Sequence, residues 1–133
     1  MAYDATDGAL IVEDDPMLLM FGADAVEDAG LIPYEARRAE EALSILTVCS
    51  SIVVLFTDIR LPGPLDGIDL AWVVHRKRPD IKIFMTSGYA PPDPSCLPPG
   101  AMFLSKPYNP DHLVRELRMA AERKTCQISV TSL

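Results

Sequence analysis

The stretch from Ser51 to Gly67, SIVVLFTDIRLPGPLDG, sets the terms for the rest of the chain. Its apolar run, Ile52 to Phe56, ends in Thr57-Asp58 and is followed at once by a segment rich in proline, glycine and aspartate. An apolar run of this length between turn formers reads as a strand buried on both faces, with a buried helix segment left open by periodicity alone. In a parallel sheet such a strand puts Asp58 at its carboxyl end, where open α/β sheets place their ligands. Three shorter runs repeat the pattern. Ala9 to Val12 ends in Glu13-Asp14-Asp15, Ile81 to Met85 ends in Thr86-Ser87-Gly88, and Met102 to Leu104 ends in Ser105-Lys106-Pro107. Acids, hydroxyls and a lysine thus collect at one kind of strand end.

Between these runs the chain alternates to helical spacing. Asp15-Pro16 reads as an N-cap followed by proline at the first helical position, opening a helix to about Ala29 that stops at Gly30. Leu18, Leu19, Phe21, Ala25 and Val26 are its expected buried stripe. A short strand near Leu31 to Glu35 carries Pro33, which favours a sheet edge or a strand start. Ala39 to Cys49 and Gly67 to Arg78 are helical, the second ending in His75-Arg76-Lys77-Arg78, a basic cap where the helix field favours positive charge. Ala90 to Gly100 holds five prolines and leaves room for one or two helical turns at most. Asn109-Pro110 opens a final helix through about Arg123. Residues 1–8 read as an N-terminal extension, 9–123 as one domain and 124–133 as a short tail. Five strands alternating with helices indicate an α/β fold with a parallel sheet covered on both faces.

The totals exclude several function classes. A net charge of −7 repels phosphate and argues against a general nucleic-acid binder. His75 and His112 are too few for a histidine-based metal site, and Cys49, Cys96 and Cys126 lack CxxC spacing, which points to incidental thiols in a reducing compartment. No apolar stretch approaches the roughly 20 residues of a membrane span and no signal-peptide pattern opens the chain, so the expected location is the cytoplasm.

Taken alone, Glu13-Asp14-Asp15 is also a helix-opening acidic cap. With Asp58 at a neighbouring strand end, the carboxylates repel one another unless a cation intervenes, and an all-oxygen set of this kind suits Mg²⁺. Asp14 and Asp58 are the expected direct ligands, Glu13 acts nearby or through water, and the backbone carbonyl of Arg60 supplies another oxygen. With Asp58 as a nucleophile toward a phosphoryl group, Lys106 offsets charge on one side and the Ser87 hydroxyl donates to a phosphoryl oxygen. Thr57 and Thr86 are the competing hydroxyls, and a lone Lys-Pro after a strand is otherwise an exposed charge and a turn.

These residues resemble the receiver domain of two-component response regulators, a chemotaxis-regulator-like family, across about residues 9 to 123. Glu13-Asp14 matches the acidic pair, Asp58 with Leu61-Pro62-Gly63 and Asp66-Gly67 the phosphoacceptor and its loop, Ser87-Gly88 the hydroxyl residue and its small neighbour, and Lys106-Pro107 the lysine and a bond that is typically cis. The resemblance implies a doubly wound, five-stranded, flavodoxin-like receiver fold, here with a shortened or irregular fourth helix. It also implies Mg²⁺, phosphorylation of Asp58 by a sensor histidine kinase or histidine phosphotransfer protein, receiver-catalysed transfer and autodephosphorylation, and a switch at Ser87 and Phe103. Phe103 has no hydroxyl, so a switch there works through packing, and ordinary core is its other reading.

Three departures stand out. Pro64-Leu65 lengthens the loop after Asp58 by one residue, Arg60 sets a basic side chain beside the phosphoryl position, either to stabilise the phosphorylated state or to obstruct water, and Pro91 to Pro99 shortens the fourth helix or makes it irregular. The expected contact face then involves Tyr89, Phe103 and the final helix. The leading expectation is a stand-alone receiver that relays phosphate or regulates a downstream protein by binding it, with no direct nucleic-acid or membrane partner. The alternative is a non-phosphorylated receiver-fold adaptor. A phosphatase with an aspartyl nucleophile is disfavoured, because Arg60 stands where it would need a second acid.

Overall fold

The computed structural model describes residues 7–88 and 91–131, with side chains described through residue 122. Its elements run β1 (Gly8–Val12), α1 (Pro16–Asp28), β2 (Ile32–Ala36), α2 (Ala39–Val48), β3 (Ile52–Asp58), α3 (Gly67–Lys77), β4 (Lys82–Ser87), β5 (Met102–Ser105) and α4 (Pro110–Thr131). The five strands form one sheet in the order β2-β1-β3-β4-β5, with every pairing parallel. β2, with Pro33, lies at an edge, where a missing N–H costs the sheet least.

Side-chain alternation along the inner strands divides the core into two layers. Ile11, Val54, Phe56, Phe84 and Leu104 pack with Leu19, Ala23 and Val26 of α1 and Leu113, Leu117 and Ala121 of α4. On the other face Leu10, Val12, Leu55, Ile83 and Met85 pack with Ala39 and Ala42 of α2 and Leu70, Ala71 and Val74 of α3. β3 is buried throughout, which is why it reads as an uninterrupted apolar run.

The helix ends obey local chemistry. Asp15 caps α1 by accepting from the Met17 and Leu18 amides at 2.9 and 3.4 Å. Gly30, at φ 86°, ends it, with its amide bonded to Glu27 O. Asp66 and Asp69 form a reciprocal capping box on α3, and Asn109 Oδ1 accepts from the Asp111 amide at 2.8 Å to open α4.

Several boundaries differ from the sequence expectation. β1 begins at Gly8, and β4 runs to Ser87 rather than Met85, so the Thr86 and Ser87 hydroxyls belong to the strand itself. β-branched and hydroxyl residues pair as well as apolar ones when a neighbouring strand supplies partners, and here Asp58 pairs with Thr86. Phe21 is 58% exposed instead of buried; Gly22 and Ala23 take the inward positions, because the close approach of α1 to β1 leaves room only for small residues. α4 continues past Arg123 to Thr131, as the segment after Arg123 contains no glycine or proline to stop it. Arg78 does more than cap α3: its guanidinium reaches Ile52 O at 3.2 Å and pairs with Asp80 at 3.1 Å.

Between β4 and β5 the described residues hold only a 3₁₀ turn, Pro94–Cys96, in place of a fourth α-helix. This segment is fastened to α3 by Trp72 Nε1, which donates to Cys96 O at 2.8 Å, while Leu97 and Ala101 pack on the α2/α3 layer. Tyr89 lies outside the described residues. No helix among the described residues is long and apolar enough to cross a membrane.

Candidate functional site

The sheet order reverses direction at β1 and β3, and the carboxyl ends of those neighbouring strands carry the acidic residues. Alternation places Asp58 on the same face as Val54 and Phe56, and Glu13 on the same face as Ile11. Glu13 and Asp58 are buried, whereas Asp14, one residue further on, is exposed at the mouth. One carboxylate oxygen from each of Glu13, Asp14 and Asp58 can be chosen so that all lie within 4.8 Å of one another. Oxygens sharing one octahedral Mg²⁺ lie about 3–4 Å apart at ordinary Mg–O lengths. The donor set therefore fits a divalent cation that prefers oxygen, with small side-chain adjustments.

Lys106 arrives from the end of β5 and places Nζ 3.3 Å from Glu13 Oε1 and 3.2 Å from Asp58 Oδ2. Its amide donates to Ser87 O at 2.9 Å, and its bond to Pro107 is cis. Burial alone would lower the Lys106 pKa, but the charges of Asp58 and Glu13 and the hydrogen bonds to them outweigh it and hold the ammonium above its ordinary value. Glu13 is pushed up to about 8. Burial is the main cause, followed by the Asp58 carboxylate, to which protonated Glu13 can donate and whose charge opposes its ionisation; Lys106 pulls the other way.

The remaining expected residues divide between two spaces. Asp14, Asp58, Arg60, Ser87, Gly88 and Lys106 line an open cleft of about 440 Å³, broad enough for a tetrahedral oxyanion and solvent. The Arg60 amide donates to Asp58 Oδ1 at 3.3 Å, turning the carboxylate toward the loop. Thr86, by contrast, points to the face of Phe84 and Asp58 and lines a small cavity beneath them. The competition between the hydroxyls thus resolves by side: Ser87 meets the cleft and Thr86 the interior, while Thr57 Oγ1 donates to Asp58 O at 2.9 Å on the opposite layer. Phe103 is half-buried on β5, pairs in register with Met85 and is not among the residues lining the cleft.

Three contributors have no role of their own in the sequence reading. Gly67 opens α3 directly against the end of β3: a Cβ there would sit 2.0 Å from Asp58 O. Arg37 Nη2 donates to Asp14 O at 3.0 Å, bracing the loop that carries the exposed carboxylate. Tyr108 packs edge-on against Phe56, 5.7 Å between ring centroids, and lines the cavity under Asp58. Of these, only Gly67 left a mark in the sequence, as part of the Asp66-Gly67 match and the start of a helix.

Comparison with known proteins follows the same lines. The response regulator receiver domain family matches residues 9–118. The receiver protein CpdR of Brucella abortus is 36% identical over 121 residues, an alignment covering 81% of this chain and 91% of that protein. The nitrogen assimilation regulatory protein NtrX of Azorhizobium caulinodans is 34% identical over 118 residues, covering 86% of this chain but 25% of NtrX, so the chain spans about a quarter of that relative. Among solved structures, a CheY-like receiver domain protein of Methanospirillum hungatei superposes with a TM-score of 0.80 at 26% identity, covering 92% of this chain and 98% of that one.

Proposed function

Because the chain belongs to the response regulator receiver domain family, we propose that Asp58 is its phosphoacceptor and that the cluster around it is a Mg²⁺-dependent phosphotransfer site. The observation that carries this is the convergence of three carboxylates within 4.8 Å, with a lysine ammonium 3.2 Å from one of them. Asp58 is held by the Arg60 amide on one oxygen and by Lys106 on the other. It faces an open cleft rather than sealed protein.

Asp14, Asp58 and the Arg60 carbonyl would hold Mg²⁺, with Glu13 beside it or acting through water, and the bound ion neutralises charge on the phosphoryl oxygens. The Asp58 carboxylate attacks phosphorus in line. The new O–P bond forms as the N–P bond to a phosphohistidine breaks, and the imidazole leaves neutral once protonated. Lys106 then follows the added charge from the carboxylate to a phosphoryl oxygen, and Ser87, on the cleft wall, donates to another. Arg60, on the same wall, sets its basic side chain beside the phosphoryl position.

The donor is a sensor histidine kinase or a histidine phosphotransfer protein. Relatives carry receiver sequence both in short chains, as in CpdR, and in long ones, as in the Brucella abortus sensor kinase CckA, of which the match covers 12%. Output is by phosphorylation-dependent protein contact or relay, and Phe103, on the edge strand next to the 3₁₀ segment, transmits it through packing. Incubation with a small phosphodonor and Mg²⁺, followed by peptide mapping, tests the assignment. An acyl phosphate on residue 58 is expected, and labelling at another residue would overturn it.

A further inference from the structure

Beneath the cleft, a small space is lined by Glu13, Phe56, Asp58, Thr86, Lys106 and Tyr108, among others. It offers about 10 Å³ to the centre of a water molecule, the lower limit of what one water needs. Two atoms of these lining residues, Glu13 Oε2 and Thr86 Oγ1, are buried without a hydrogen-bond partner among the described residues. Buried polar atoms are nearly always paired, and leaving one unpaired is costly. Two such atoms lining one water-sized cavity therefore point to a shared partner. Their chemistry is complementary. A water can donate to Glu13 Oε2 when that group is ionised or accept from it when it is protonated, and it can accept from the Thr86 hydroxyl, with Asp58 as a further acceptor.

We propose that this cavity is a one-water site and that Thr86, acting through the water, is a positioning residue for Glu13. Lys106 holds Glu13 Oε1 at 3.3 Å; the water holds Oε2, so both oxygens of the carboxylate are fixed before a cation arrives. The adjacent hydroxyls then have separate tasks, Ser87 on the cleft and Thr86 below it. The water site stands on the buried atoms and the cavity alone, while the positioning role rests on the metal-site reading above.

Crystal structures of wild type, Thr86→Val and Thr86→Ser, with Mg²⁺ titrated calorimetrically into each, test both parts. Wild type and Thr86→Ser should show a water within hydrogen-bond distance of residue 86 and Glu13 Oε2, and Thr86→Val should not. Partners that orient metal ligands commonly change affinity by about 10- to 100-fold; acting through a water, the loss in Thr86→Val is expected at about 3- to 10-fold, with Thr86→Ser near wild type. Should the valine variant fail to fold, Thr86→Ala replaces it. Absence of the water from the wild type overturns the site. A Thr86→Val titration matching the wild type overturns the positioning role. Failure of wild type itself to bind Mg²⁺ removes the metal-site reading and that role together, with the water still judged on density.

Discussion

The Lys106 ammonium lies 3.2 Å from Asp58 Oδ2, joining the ends of β5 and β3 across 48 positions of sequence. It is also the cation that keeps Glu13 and Asp58 together. Replacing it by methionine leaves the Asp58 carboxylate beside Glu13 without its counter-charge, and the loss is expected at about 1–2 kcal/mol, below the ~3–5 kcal/mol of a sealed ion pair because the site remains open to solvent. Thermal melts of Lys106→Met should show a larger Mg²⁺-induced gain than wild type, since the metal supplies the missing positive charge. Equal gains in the two proteins would show that Lys106 does not offset this charge.

Gly67 has no room for a side chain, because a Cβ would lie 2.0 Å from Asp58 O and 2.8 Å from Ile59 Cα, both backbone atoms that cannot swing aside. Gly67→Ala is expected to cost about 2 kcal/mol or more by forcing α3 away from β3, and to slow phosphorylation through displacement of Asp58. Gly88 offers the contrast: a Cβ there meets nothing within 4 Å, and Gly88→Ala should stay within about 0.5 kcal/mol of wild type. Denaturant unfolding of the two variants checks this, and a Gly67→Ala midpoint equal to that of Gly88→Ala would contradict it.

Stability without metal should depend on pH through Glu13. The unfolded chain ionises this group near 4.5, while the folded chain keeps its proton to about 8. Between those values the native state binds the extra proton, so its stability falls as pH rises, by up to about 1.4 kcal/mol per pH unit from this one group. Denaturant unfolding between pH 5 and 8 should show a steeper decline for wild type than for Glu13→Gln, which carries no titrating proton. Saturating Mg²⁺, which competes with the proton, should remove most of the difference. Parallel curves for the two proteins without metal would reject the shift.

Ile52 to Phe56 announced a central strand because a strand covered on both faces needs no polar alternation, and Glu13, Asp14, Asp58 and Lys106 were legible because each ends such a run. The proline spacing from Pro91 to Pro99 foretold a shortened or irregular fourth helix, and among the described residues a 3₁₀ turn stands there. Phe21 misled because helical spacing marks a face without saying how closely the sheet approaches; Gly22 and Ala23 occupy the close contact. The division of labour between Thr86 and Ser87 depended on whether β4 reached them, and that is decided by pairing with Asp58 and Ser105, not by the hydroxyls. The Arg37 contact to Asp14 O joins residues from different crossovers, and no local pattern encodes it.

The proline-rich connection should respond to one hydrogen bond. Trp72 Nε1 donates to Cys96 O at 2.8 Å and anchors a segment whose own helical bonds are those of a single 3₁₀ turn. Trp72→Phe keeps the ring packing and removes the donor, at an expected cost of about 1 kcal/mol. Amide hydrogen exchange in the segment around Cys96 should accelerate while β3 stays protected. Unchanged exchange there would mean that packing of Leu97 and Ala101 holds the segment without the tryptophan.

The central claim, that Asp58 accepts a phosphoryl group within a metal-dependent carboxylate cluster, is tested most directly by intact mass spectrometry after incubation with a small acyl or amidophosphate donor. The comparison needs wild type with and without Mg²⁺ and Asp58→Asn with Mg²⁺. One added phosphoryl group is predicted on the wild type in the presence of Mg²⁺, with little on the wild type without it and none on the variant. Wild type that stays unmodified under conditions labelling a control receiver, or Asp58→Asn that labels as well as wild type, would contradict it.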